Sequence, residues 1–187
     1  MYRIKTFLIT ASLLMLSTLA LAHPGHEQAS VLSGLMNGFL HPLLGLDHLI
    51  VFAALGYFSG QLTGARRWVF PTVFVVLMAG GFAVGHAGIH IADVEMLLML
   101  SMVFSLLLVG LSQVALHIFN KEVLALPECG VWTVTAFAIF HGFAHGYEVP
   151  QVASVYGFGI AFLLSSVGVI ALSQLCVNRF VPAQAVC

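Results

Sequence analysis

The chain has 187 residues, of which 60% are hydrophobic and only 7% charged, with a formal net charge of −1 and a mean hydropathy of +1.06. Soluble domains carry about 25% charged residues, so this composition excludes a water-facing globular domain and implies an all-α, polytopic transmembrane helical bundle. No basic cluster points to nucleic acid, and Cys129, Cys176 and Cys187 show neither Cys-x-x-Cys spacing nor a disulfide framework.

Residues 1–22 have the layout of a secretory signal peptide. Arg3 and Lys5 precede an apolar run from Phe7 to Leu16, and Ala20-Leu21-Ala22 predicts cleavage before His23. The mature chain, 23–187, is then a single transmembrane domain beginning His23-Pro24-Gly25-His26. Pro24 has no amide proton to lose, so the usual amino-terminal copper or nickel chelate is closed, and His23 and His26 read equally as a weak capture site or a polar tail. Spanning a bilayer takes roughly 20 helical residues, and apolar runs of that length lie at about 31–60, 68–91, 95–119, 129–147 and 153–177. Five spans are expected.

Charge orients them. With the mature N-terminus in the periplasm, Arg66, Arg67, Lys121 and Arg179 fall on the cytoplasmic side, as the positive-inside rule requires, and the C-terminus lies inside. The outward connectors carry only Asp93, Glu95 and Glu148. The predicted location is the bacterial inner membrane, with the lipid bilayer as the obligatory partner. A homo-oligomer is compatible with this composition.

Polar chemistry is concentrated in nine histidines, against six lysines and arginines together. In the first span, His41-Pro42-Leu43-Leu44-Gly45-Leu46-Asp47-His48 sets two imidazoles and a carboxylate in an apolar run with no basic partner. An ionised group at mid-membrane costs about 2.5–3.5 kcal/mol on insertion scales and is normally functional. Two imidazoles and a carboxylate suit a divalent metal ion. His41 and His48 would stand about 10 Å apart on an unbroken helix, but Pro42 and Gly45 are placed to break it, and discontinuous helices build ion sites at membrane depth. Spans two and four end alike, in His86-x-x-x-His90-x-x-Asp93 and His141-x-x-x-His145-x-x-Glu148. Offsets of four and seven share one helical face, and imidazoles at i and i+4 can hold one metal ion. Histidines of three spans are thus expected to converge in the periplasmic half. His117 is expected to be structural, Met78, Met96, Met99 and Met102 to be packing, and the dense glycines to allow close helix contact.

His41-Pro42-x-x-Gly45-x-Asp47-His48, together with Phe140-His141-Gly142-x-Ala144-His145-Gly146-x-Glu148, resembles the signature segments of the HupE/UreJ family of hydrogenase/urease accessory membrane proteins. The resemblance extends to the leader, the Gly38-Phe39-x-His41-Pro42 entry and Glu95. It implies a nickel or cobalt permease, with His41, Asp47 and His48 matching the first motif and His141, His145 and Glu148 the second. Phe143 stands where many relatives have another histidine.

The expected metal residues are therefore His41, Asp47, His48, His141, His145 and Glu148, with His86 and His90 added from spacing. Ni²⁺ or Co²⁺ is the transported ion, and no tightly bound cofactor is expected. Without Gly-x-x-x-x-Gly-Lys an ATP-driven cycle is not expected, and without His-Glu-x-x-His neither is a metalloprotease; the chain is read as no enzyme. Two alternatives stay open: a b-type haem protein ligated, for example, by His86 and His141, and a metal-binding accessory protein that does not transport.

Overall fold

The path of the first span is decided at Gly45. In the computed structural model, which describes residues 30–89, 91–118, 126–149 and 154–180, helix α1 (Val31–Leu44) opens on Ser30, whose hydroxyl accepts the Ser33 N–H at 3.0 Å and so satisfies one of the free donors of the first turn. The helix runs through Pro42, which has no N–H to give the Gly38 carbonyl, and stops at Gly45, where the backbone is extended (φ −82°, ψ 118°). Helix α2 (Leu46–Gly60) starts at once, bent by 72° from α1. The expected signal peptide, the capture histidines His23 and His26, and His90 lie outside the described residues.

Helices α3 (Arg66–His86), α4 (Val94–Ile118) and α7 (Val155–Phe180) contain stretches long and apolar enough to cross a membrane, and the bent α1–α2 pair passes the same test as one unit. The run expected to span over 129–147 is two consecutive helices, α5 (Leu126–Ala136) and α6 (Ala138–Tyr147), separated at Phe137. Each is about 15 Å long, half of a hydrocarbon core of about 30 Å. All regular elements of the described residues are helices. This is a multi-pass membrane protein.

The most extensive packing joins α3 to α6 and α1–α2 to α7. Both pairs run parallel and approach through Gly-x-x-x-Gly spacings, the small-residue interface of membrane helices. A Cβ on Gly142 would strike the Met78 carbonyl, and one on Gly81 the Ile139 carbonyl. Helix α2 is the hub, with Val51, Phe52, Leu55 and Phe58 buried against Phe74 and Met78 of α3 and Phe162 of α7. Helix α4 turns a serine seam inward, Ser101, Ser105 and Ser112, with Ser112 Oγ 3.2 Å from the Tyr57 hydroxyl. Its opposite face, including Leu106, Leu107, Leu111 and Val114, is exposed, which suits contact with lipid tails.

The arrangement also sorts charge. Arg66, Arg67 and Arg179 lie at the end where α2 finishes and α3 begins, whereas Asp93, Glu95 and Glu148 lie at the opposite end. Arg66 pairs with Glu128 at 2.6 Å across exposed surface, worth about 0–1 kcal/mol.

Candidate metal centre

The bend at Gly45 brings together two side chains that a straight helix would separate. His41 in the last turn of α1 and His48 in the first turn of α2 have ring centroids 5.1 Å apart. His145 of α6 completes a triangle, 4.5 Å from His41 and 4.4 Å from His48. One nitrogen from each of the three rings lies within 4.8 Å of the others, a spacing that a single ion can close. His141, one turn before His145, has its ring centroid 5.5 Å from that of His48.

Asp47 is held by two local features. It sits in the first turn of α2, where the positive end of the helix dipole favours an anion. Its Oδ2 lies 2.7 Å from His48 Nδ1. The contact is short, but the oxygen lies off the direction of a ring N–H, so Nδ1 has no aligned hydrogen bond. A carboxylate this close favours the tautomer with its proton on Nδ1, which leaves the Nε2 lone pair free, the carboxylate–histidine arrangement that orients metal-binding imidazoles. Asp47 is therefore the partner of His48 and stands beside the three-imidazole group.

The buried nitrogens are the informative atoms. Nε2 of His48, of His141 and of His145 are all buried without a hydrogen-bond partner among the described residues. An unsatisfied buried polar atom costs about 1–3 kcal/mol, so three in one place call for something that accepts their lone pairs or donates to them. Aromatic rings wall the cluster: Phe158 and Phe162 of α7 lie 5.9 and 6.2 Å from the His41 ring, and Phe162 is 4.9 Å from His145. Phe52 and Phe74 close the site below His141. His41 alone of the four histidines is exposed.

The remaining expected residues are distributed differently. Glu148 caps α6 and lines a cleft of about 440 Å³ with Asp93, Glu95, Met96, Met99, Phe143 and Tyr147. Burial, and then the negative charge of Glu95, push its carboxyl above the usual carboxylate range. It lies at the end of the bundle opposite the arginines and is outside the imidazole triangle. His86 is exposed at the end of α3: the glycine face through Gly81 and Gly85 turns to α6, and the residue after Gly85 is rotated by about 100° from it. Met78 and Met102 pack in or against the core, whereas Met96 and Met99 are exposed and line the acidic cleft. Sequence reasoning missed the aromatic walls, for phenylalanine is too common in membrane helices to signal a site.

Gly45 also sets the carboxylate. A Cβ there would lie 2.9 Å from Asp47 Oδ1 and 3.6 Å from His48 Cγ. Gly45→Ala is expected to displace Asp47 and weaken Co²⁺ affinity by about 10-fold with little change in melting temperature, as read by calorimetric titration beside a thermal melt.

A family model described as "HupE / UreJ protein" matches residues 11–186, a stretch that contains both histidine segments. The chain belongs to the HupE/UreJ family. It is also 33% identical over 158 residues to Protein HupE of Rhizobium leguminosarum bv. viciae, an alignment covering 84% of this chain and 75% of that protein. No solved structure matches it. HupE/UreJ proteins are hydrogenase/urease accessory proteins and not a catalytic family, and within this member the two matching segments meet in space as the His41–His48–His145 triangle with His141 beneath.

Proposed function

We propose that this HupE/UreJ protein is an inner-membrane permease that carries Ni²⁺ or Co²⁺ from the periplasm to the cytoplasm, where the ion supplies hydrogenase or urease maturation. The observation that carries this reading is the set of buried, unpartnered imidazole Nε2 atoms gathered beside a carboxylate. Neutral imidazole suits nickel, and affinity at nitrogen and oxygen sites rises along the divalent series towards nickel and copper. No thiolate stands in the group, which disfavours Cu(I). The positive-inside rule puts the arginine end in the cytoplasm and the His41 side towards the periplasm. The acidic cleft around Asp93, Glu95 and Glu148 attracts cations to that mouth.

Flux of radiolabelled nickel into proteoliposomes tests this. The wild type is expected to load vesicles, and Asp47→Ala at equal incorporation to load them about 10–100-fold more slowly; equal rates would sink the assignment.

A metal-binding accessory role without transport rests on the same histidines and predicts binding without flux. Haem between His86 and His141 has less support. His86 is exposed at a helix end, whereas His141 is buried beside His48, Phe52 and Phe74.

A further inference from the structure

We propose that the ion has a second, deeper position in this protein, between His48 and His141, reached from the His41–His48–His145 triangle by an exchange of partners at His48. The inference rests on the metal-binding reading of the cluster and adds a step to it.

His141 is set up as a ligand that the triangle does not use. Its Nδ1 lies 3.3 Å from the carbonyl of Phe137, the residue at which α5 gives way to α6. A carbonyl only accepts, so this contact places the ring proton on Nδ1 and leaves the lone pair on Nε2. That Nε2 is buried and has no hydrogen-bond partner among the described residues. Metal-binding histidines are commonly held in this way, one nitrogen fixed by a backbone carbonyl and the other presented to the ion. A structural core histidine accounts for the Nδ1 contact but leaves Nε2 without a reason to be there.

Burial orders the four rings into a path. His41 is exposed, His145 and His48 are 4% and 1% exposed, and His141 is fully enclosed. His48 is common to both groups, 4.4 Å from His145 and 5.5 Å from His141 by ring centroids. Below His141 the rings of Phe52 and Phe74, at 5.9 and 6.5 Å, form an apolar floor. Two divalent cations this close, in a site of low dielectric, repel strongly, so the positions are occupied in turn by one ion.

The experiment is a Co²⁺ titration of the purified full chain in lipid nanodiscs, followed by visible absorption, alongside Co²⁺ flux in proteoliposomes. His141→Gln alone is expected to leave affinity within about threefold of wild type while uptake falls at least about 10-fold. The double variant His41→Ala/His145→Ala, which dismantles the triangle, is expected to retain a weaker Co²⁺ spectrum. Adding His141→Gln to it is expected to lower that residual affinity by about 10-fold or more. If the triple variant binds as the double does, or if His141→Gln alone weakens binding as much as His41→Ala, the second position is overturned. His141→Phe, which keeps an aromatic ring in the enclosed site, replaces His141→Gln in every arm should the glutamine variant not purify as a monodisperse species. A wild type that binds no Co²⁺ overturns the metal reading and this step with it. A wild type that binds but shows no flux overturns only transport, and the spectra of the double and triple variants still decide the second position.

Discussion

Replacing His48 with alanine is expected to lower Ni²⁺ or Co²⁺ affinity by at least about 100-fold, or about 2.8 kcal/mol at 1.4 kcal/mol per tenfold, and to abolish measurable uptake. Among the described residues no other side chain is so central. Its ring neighbours those of His41, His145 and His141, and its Nδ1 is the close partner of Asp47. The variant removes one imidazole from the triangle and leaves Asp47 without the ring that faces it. Changes to residues that merely orient a ligand typically cost 10–100-fold, so loss of this ligand together with its oriented carboxylate belongs at or above the top of that range. Folding is expected to survive, because the substitution also removes two buried ring nitrogens that lack hydrogen bonds. Calorimetric titration beside a thermal melt separates the two quantities. An affinity within threefold of wild type would remove His48 from the site.

The second large effect is structural and is expected at Gly142. A Cβ there collides with the Met78 carbonyl, which is backbone and cannot swing aside as a side chain can. Gly142→Ala therefore has to push α6 away from α3, and overpacking of this kind costs about 1–3 kcal/mol or more. Because Gly142 lies between His141 and His145, the same displacement moves two of the four imidazoles, so metal affinity is expected to fall with stability. Gly110→Ala is the matched control. Beyond its own stretch of helix, no atom of the described residues lies within 4 Å of a Cβ built at Gly110, and alanine is favoured over glycine in a helix by about 0.5–1 kcal/mol. Thermal unfolding in detergent should show Gly142→Ala melting well below wild type and Gly110→Ala at or slightly above it. Equal melting of the two variants would refute the close α3–α6 contact.

Much of this fold was legible because lipid imposes few solutions. Continuous apolar runs had to be helices, and the charged connectors marked their ends, so α1, α4 and α7 begin within two residues of the expected starts. The break between His41 and His48 was also legible, since Pro42 and Gly45 weaken successive turns of one helix; Gly45 is where the chain bends. The break at Phe137 carried no such mark. Neither proline nor glycine stands there, so the run over 129–147 read as one helix where the structure has two. Spacing alone placed His86 with the others because the end of α3 repeats the end of α6. What decides its position is which face of α3 meets α6, and that follows from the contacts of Gly81 and Gly85, which a linear pattern does not contain. Asp47 shows a similar limit. Its lack of a basic partner was plain in sequence, whereas its close approach to His48 is set by side-chain geometry in the first turn of α2.

X-ray absorption at the nickel edge, on protein loaded with one equivalent of Ni²⁺, tests the metal centre most directly. The arrangement of His41, His48 and His145 predicts a nitrogen/oxygen shell with the outer-shell scattering of about three imidazoles, falling by one in His145→Ala. A shell of oxygen alone, unchanged by that substitution, would contradict it.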